Sequence, residues 1–365
     1  MINTVLLSGP ISKKGTPSAG GYESSNRRTS DGLRELGINV IELPNKICNN
    51  KILGYVGGML YTIYRSLTIK TTSSKTVFHI TALYKQFLYY ELLLWGISRL
   101  RGYKYVYDIR AGSIVIHYNE RSFLYRYFFR FILRHSDLVL SEGMENMSFI
   151  KSISGKGAKY FPNYISPQKD EIKLPSAPQK TINLCYWGRL VPEKGIELTI
   201  DVCAYINRSD IQCELHIVGD GPKFFINEIH QKANDLKISD RVHFYGAQSS
   251  EKQLNFMTKM HFFIFPTIFR GEGHSNSLTE AMYFGVVPIC SRNGFNQSVV
   301  SNAGVVLDRD VTFVEYGNAV ISIFNKKTWS NYSLQSHTRV IEHFLSTKVL
   351  PKLLQDYHQI NIFKK

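Results

Sequence analysis

Short runs of β-branched and aromatic residues alternate with longer amphipathic stretches through most of this chain, and that alternation leaves few folds open. Strands of this kind separated by helices are joined by crossovers, so they pair in parallel. In the first half the pattern predicts strands at Thr4–Ser8, Ile38–Leu43, Thr76–Ile80, Tyr103–Asp108 and Leu138–Ser141. Helices are predicted at Tyr22–Leu36, Leu83–Leu100 and Glu120–His135. The segment Pro162-Asn-Tyr-Ile-Ser-Pro167, followed by charges and by Leu-Pro-Ser-Ala-Pro178, is the one clear linker. A second alternation then begins. Its expected strands are Ile182–Trp187, Cys213–Val218, Val242–Tyr245, His261–Phe265 and Val287–Cys290, and its expected helices Gly195–Asn207, Lys223–Leu236 and Ser277–Phe284. The fold class expected is α/β, two Rossmann-like doubly wound domains whose strand ends face each other across a cleft. A length of 365 residues suits two domains. The boundaries expected are 1–168 for the first, 169–345 for the second, and a helical tail at 346–365 that packs back on the first.

Composition removes several classes. The apolar fraction is 44%, enough for two cores. Five cysteines (Cys48, Cys185, Cys203, Cys213, Cys290) lie scattered, without paired spacing or histidines at metal spacing, and read as buried thiols of a reducing compartment. The start, Met1-Ile-Asn-Thr-Val-Leu-Leu-Ser-Gly-Pro10, has no basic segment ahead of its short apolar run and reads as a first strand. No apolar run reaches the 18 residues of a membrane span. A cytoplasmic protein is expected. Its net charge is +15, unevenly placed: residues 1–170 hold 23 Lys and Arg against 11 Asp and Glu, residues 171–365 hold 21 against 18. The first half is therefore expected to meet something anionic.

Three loops of the second half follow strands at the same sheet edge and should converge. The most specific is within Phe263-Ile-Phe-Pro-Thr-Ile-Phe-Arg-Gly-Glu-Gly-His-Ser-Asn-Ser-Leu-Thr-Glu-Ala-Met282: a buried strand, a glycine-rich polar loop, then a helix start. Amides of such a loop and helix N-terminus aim at one point and suit an anion. Glu272 and Glu280 bracket it and can take hydroxyl hydrogen bonds on either side, which suits a sugar nucleotide. Ser277-Leu-Thr-Glu280 also fits a helix capping box, and on this segment alone the two readings of Glu280 stay open. The second loop, Trp187-Gly-Arg-Leu-Val-Pro-Glu-Lys-Gly195, puts the cations Arg189 and Lys194 at an open edge within reach of one diphosphate. Pro-Glu-Lys-Gly by itself is also an ordinary solvated turn. The third, Val218-Gly-Asp-Gly-Pro222, permits close backbone approach and alone is only a tight turn.

Taken together, Gly188-Arg-Leu-Val-Pro-Glu-Lys-Gly195, Val218-Gly-Asp-Gly-Pro222, Phe244-Tyr-Gly246 and Gly271-Glu-Gly-His-Ser-Asn-Ser-Leu-Thr-Glu-Ala-Met282 resemble the nucleotide-sugar domain of the retaining family-4 glycosyltransferases (glycosyl transferases group 1), which have the GT-B fold. The resemblance covers residues 182–290 closely. It implies that Arg189 and Lys194 hold the donor diphosphate, that Glu272 touches the donor sugar and Glu280 the ribose. It also implies that Gly188, Gly219, His274, Ser275, Asn276, Ser277 and Leu278 line the donor. In the first half Gly20-Gly21 matches the glycine loop that faces the diphosphate and acceptor. The histidine common in the family after the strand Tyr103-Val-Tyr-Asp-Ile-Arg110 is missing here; Asp108 and Arg110 stand there, and Asp108 is the remaining candidate for the chemistry. His117 lies too far along to replace that histidine, and His79 reads as a structural histidine at a strand end.

The expected activity is retaining transfer of a sugar from a UDP- or GDP-sugar to an acceptor hydroxyl, with no cofactor and no metal, since Arg189 and Lys194 neutralise the leaving diphosphate. Asp308-Arg-Asp310 imitates a metal-binding Asp-x-Asp but lacks sugar-nucleotide context and reads as a surface turn. The helix Arg121–His135 puts Arg126, Arg130 and Arg134 on one stripe amid aromatics, as an interfacial helix on anionic lipid does; a core helix with a wet basic face looks the same. With the charge of the first half, it points to peripheral contact at the inner face of a cell membrane. A lipid-linked glycan acceptor of cell-surface polysaccharide assembly is expected. A soluble sugar or protein acceptor, or an epimerase or hydrolase of the same fold, is the alternative. Nucleic acid is not expected as a partner, because the basic half carries no nucleic-acid motif.

Overall fold

The computed structural model describes residues 1–13, 21–47, 51–168, 172–248 and 256–362; Gly20 and Cys48 fall outside the described residues. The chain forms two compact units, Met1–Ser166 with Ser346–Lys365, and Pro167–Leu345. Each is built on a parallel sheet of six described strands.

In the first unit the strands are β1 (Thr4–Gly9), β2 (Asn39–Pro44), β3 (Thr76–Ala82), β4 (Lys104–Ile109), β5 (Leu138–Ser141) and β6 (Lys159–Tyr160), in the order β2-β1-β3-β4-β5-β6. Every residue of β1, β3, β4 and β5 is buried, as befits strands covered by helices on both faces. One side is filled by Phe78, Tyr105, Tyr107 and Phe129. The other takes Val349, Leu350, Leu353 and Tyr357 of the helix Ser346–Ile362, which returns from the far end of the chain. A helix at Lys51–Thr68 has no counterpart in the sequence pattern. Gly54, Gly57 and Gly58 interrupt its apolar spacing, yet Gly58 is required: a Cβ there would stand 2.3 Å from the Asn45 carbonyl oxygen. The helix expected from Leu83 begins at Leu88. The Glu91 carboxylate accepts the Leu83 and Tyr84 amides at 2.7 and 3.0 Å, while Tyr84 and Lys85 adopt positive φ, so the chain turns before it coils.

The second unit has β7 (Thr181–Trp187), β8 (Gln212–Val218), β9 (Val242–Phe244), β10 (Phe262–Phe265), β11 (Val287–Ser291) and β12 (Val305–Leu307), in the order β12-β11-β10-β7-β8-β9. The chain starts at β7, moves outward to β9, then returns to the opposite side of β7 at β10. The strand order therefore reverses between β7 and β10, the place where open α/β sheets leave a crevice beyond their carboxyl ends. The helix Phe313–Asn325 is another the pattern misses. It carries a capping box in which Thr312 and Glu315 cap each other's amides, a signal present in the sequence. The described cysteines, Cys185, Cys203, Cys213 and Cys290, are buried free thiols. No helix among the described residues is long and apolar enough to cross a membrane.

Candidate functional site

The loop after β7 and the loop after β10 meet at that reversal. Pro192–Lys194 forms one short turn ended by Gly195, whose left-handed φ of 77° suits glycine and which caps the helix Ile196–Asn207. Gly195 also lies against Pro266, where a Cβ would come within 2.6 Å of the carbonyl oxygen, so the two loops touch through backbone. Ile268 donates its amide to the Glu193 carbonyl at 2.8 Å. This contact sets Lys194 opposite Glu272, and Nζ donates to Oε2 at 2.5 Å. Lys194 does not sit at an open edge, as the sequence reading expects; its side chain is 11% exposed and that of Glu272 7%. Thr267, a buried residue that sequence reasoning passed over, donates its hydroxyl to the same Oε2 at 2.8 Å. A hydroxyl one residue beyond the strand-ending Phe-Ile-Phe-Pro, directed at a loop carboxylate five positions on, is the signal that could have found it.

Arg189 is exposed, its guanidinium over the Phe269 ring at 5.7 Å. The Lys194 ammonium lies 5.1 Å from the same ring. One aromatic ring thus lies against both cations, and Glu272 offsets the charge of the second. The Tyr186 hydroxyl donates to the Arg189 carbonyl at 2.9 Å. Burial, reinforced by the Glu272 charge, raises its pKa and keeps it a donor.

Behind them the loop after β8 packs on the loop after β7. Gly188 and Gly219 have φ of 144° and 150°, and a Cβ on Gly219 would fall 1.8 Å from the Gly188 carbonyl oxygen. Gly219 in turn donates its amide to Gly246 at 3.0 Å. Gly188 lies close to Ser277, so the glycine turn faces the helix Asn276–Tyr283. Ser275, not Ser277, caps that helix: its hydroxyl accepts the Leu278 amide and meets the Ser277 hydroxyl at 3.0 Å. Glu280 is then in the fifth helical position, two residues beyond the capping-box place that Leu278 occupies, and it is half-buried. The capping-box reading of Glu280 is thereby removed. His274 is buried, with Nε2 2.7 Å from the Thr279 hydroxyl and its ring edge-on to Phe344; it braces the loop from inside. Leu278 is fully buried, whereas Asn276 and Ser277 are half-buried at the helix start.

In the first unit Asp108 is the penultimate residue of β4, with no exposed surface. Its Oδ2 accepts from Arg110 Nε at 2.6 Å and lies 3.1 Å from His79 Nε2. The other His79 nitrogen meets the Tyr357 hydroxyl at 2.5 Å. Burial alone would raise Asp108; the Arg110 guanidinium, with His79, brings it below the usual carboxylate range. Asp108, the candidate for the chemistry, is thus buried and engaged with Arg110 and His79. Gly21 is exposed at the first position of the helix Gly21–Glu35. His117 accepts from Arg121 and packs between Tyr84 and Tyr125. Asp308 and Asp310 are exposed, and Arg309 donates to the Ile268 carbonyl.

Comparison with known proteins agrees with this fold. Residues 168–327, less than half of the chain, match the family model Glycosyl transferases group 1, so the second unit carries a domain of that group. An uncharacterized glycosyltransferase of Bacillus subtilis, YqgM, is 24% identical over 199 residues, and the match spans 54% of each protein, so the chain covers about half the length of this curated relative. Sucrose-phosphate synthase from Thermosynechococcus elongatus superposes with a TM-score of 0.76 at 16% identity, covering 98% of this chain and 99% of that one. Anabaena Alr3699/HepE, solved in complex with UDP, gives 0.73 at 14% identity over 98% and 100% of the two chains. Two parallel six-stranded sheets with alternating helices are the fold of these GT-B glycosyltransferases.

Proposed function

We propose that this chain is a retaining glycosyltransferase of the family-4 type, which moves a sugar from a nucleoside diphosphate sugar to an acceptor hydroxyl. The observation that carries the reading is the Lys194–Glu272 pair beside Arg189, in front of the helix Asn276–Tyr283, where the strand order reverses. In this reading the diphosphate lies against Arg189, Lys194 and the amides at that helix start. Breaking the C1–O bond gathers positive charge on the sugar and negative charge on the diphosphate. The cations and the helix N-terminus stabilise the second electrostatically. A diphosphate arriving at Lys194 competes for an ammonium that Glu272 already holds. Glu272 is released toward the sugar hydroxyls as the phosphate takes its place. Glu280 takes the ribose, a leaving-group oxygen accepts the acceptor's proton on the same face, and the anomeric configuration is kept. The charges at this site are protein side chains, so the reading asks for no metal there. Alr3699/HepE was solved in complex with UDP and with UDP-glucose, which supports a UDP-sugar among the donors to try first.

The acceptor proposed is a lipid-linked glycan at the cytoplasmic face of a cell membrane, and the surface of the first unit supports it. The helix Phe123–His135 does not present the basic stripe that the sequence pattern expects. Arg126 and Arg130 are half-buried, and Arg134 donates to the Ser154 carbonyl. Besides Arg134 and His135 in its last turn, the helix exposes Phe123, Leu124 and Tyr127. Tyr127 lines a groove of about 520 Å³ together with Leu93, Trp95, Leu100, Phe128 and Phe131. A surface that is apolar within a basic unit suits lipid tails beneath anionic headgroups.

A panel of UDP- and GDP-sugars, each with and without polyprenyl-linked or soluble sugar acceptors, tests the function. Acceptor-dependent release of nucleoside diphosphate with the donor's anomeric configuration in the product is expected. Turnover without acceptor, giving free sugar or its epimer, would transfer the chain to the epimerase and hydrolase alternative.

A further inference from the structure

At the outer edge of the second sheet, on the strands that lead into the Gly219 and Gly246 loops, β8 and β9 place Glu214, His216, His243 and Tyr245 together. The parallel register sets His216 beside His243, and their rings stack at 4.9 Å. His216 is more than nine-tenths buried, and its Nδ1 lies 2.9 Å from the Tyr245 hydroxyl. Its Nε2 has no hydrogen-bond partner, and neither does that of His243. Both of these nitrogens turn toward one atom, Oε2 of Glu214, at 3.9 and 3.3 Å. The second carboxylate oxygen, Oε1, is 4.0 Å from Arg241. One donor atom from each of the three residues lies within 4.8 Å of the others.

Two stacked imidazoles with inward-turned, unbonded nitrogens are a poor arrangement for a sheet unless something accepts their lone pairs. A cation does. Around tetrahedral zinc, bonds of about 2.0–2.1 Å put ligand atoms roughly 3.3 Å apart, close to the His243–Glu214 separation already present. Two imidazoles and one carboxylate are the donor set of borderline-soft divalent ions, not of magnesium or calcium. The Tyr245 hydroxyl on the far nitrogen of His216, and Arg241 on the far side of the carboxylate, are the outer partners that orient such ligands. Glu214 and His243 are about one-third exposed, which leaves room for a water ligand.

We propose that Glu214, His216 and His243 form a site for a zinc-class divalent ion, bound through both Nε2 atoms and a Glu214 carboxylate oxygen, with a fourth position for water. The ion would fasten β8 to β9 just ahead of Gly219 and Gly246, whose mutual hydrogen bond joins the two loops that follow. The inference stands apart from the proposed transfer reaction, since none of its residues belongs to that site.

The test uses tag-free, chelator-treated full-length chain. Calorimetric titration with Zn²⁺ is expected to saturate at one equivalent, Co²⁺ to develop the visible bands of a low-coordinate site, and a large excess of Mg²⁺ to compete with neither. His243→Gln and Glu214→Gln, both at partly exposed positions, should each weaken Zn²⁺ by at least tenfold. Tyr245→Phe should weaken it by roughly 10–100-fold, as loss of an outer partner does. The thermal transition of the wild type should rise with Zn²⁺, and that of His243→Gln should not. Absence of a saturable equivalent, or an affinity unchanged in both His243→Gln and Glu214→Gln, overturns the proposal whatever the chain's activity.

Discussion

Replacing Lys194 by methionine separates what the ion pair does for the fold from what it does for the reaction. The side chain keeps its length and stem, but Glu272 loses the ammonium 2.5 Å from Oε2 and stays buried. Removing one member of a buried ion pair destabilises by about 3–5 kcal/mol, because the remaining charge is left without compensation. Thr267 still donates to the same oxygen, so the low end applies, about 3 kcal/mol. For a unit of this size each kcal/mol moves the melting temperature by roughly 2–4 °C, which gives a drop of about 6–12 °C in the second unit's transition. Glu272→Gln should cost a comparable amount, and the double variant Lys194→Met/Glu272→Gln far less than the two together. Arg189→Ala is the control. That side chain is exposed, and its loss should change stability by no more than about 0.5 kcal/mol. It should nonetheless cut turnover about 10²–10³-fold, as Lys194→Met does. Scanning calorimetry of the four variants with the assay above decides it. A Lys194→Met transition within a degree of wild type, or single effects that add to within about 0.5 kcal/mol, would refute the pairing.

Three further outcomes are expected. Glu280→Gln should weaken binding of the bare nucleoside diphosphate, whereas Glu272→Gln should lower kcat with little change in that binding; calorimetry showing the reverse order means the two roles are exchanged. Burial raises Glu91 to about 7, only partly offset by Tyr107 and the Leu83 and Tyr84 amides. The folded state thus holds a proton between pH 4.5 and 7 that the unfolded state has released, so stability falls as pH rises through that window. Glu91→Gln should flatten that part of the melting profile, and an unchanged slope would show that Glu91 titrates normally. Replacing Leu100, Phe123 and Tyr127 together with serine should loosen sedimentation with anionic vesicles at least tenfold without altering donor binding; equal sedimentation would leave this surface without a lipid role.

The parallel sheets were legible because strands covered on both faces write long apolar runs, and the helix-starting glycines punctuate them. Helices whose packing needs small residues were not: Gly58 reads as a breaker and is a contact. The loops proposed to hold the donor were legible as a set, since glycines at positive φ and the spacing of Glu272 and Glu280 survive in sequence. The state of Lys194 was not. Whether a lysine at a loop end is solvated or buried against a carboxylate 78 residues on depends on how two crossovers meet. The metal-type cluster was invisible for a similar reason. Its residues stand on two neighbouring strands separated by a helix, at no ligand spacing in sequence, and only the β8–β9 register brings them together.

The hydrogen bond between His79 and Tyr357 joins residues 278 positions apart. The first unit is interrupted by the whole of the second, and its core includes Val349, Leu350, Leu353 and Tyr357. A chain leaving the ribosome can therefore finish its second unit while the first still lacks a helix over one sheet face. Val5, Leu7, Val77 and Val106, all buried under that helix, wait uncovered in the meantime. A truncation just past Leu345 should leave the second unit able to fold and the first one sticky, and supplying residues 346–362 as a separate peptide is the natural way to watch the first unit close.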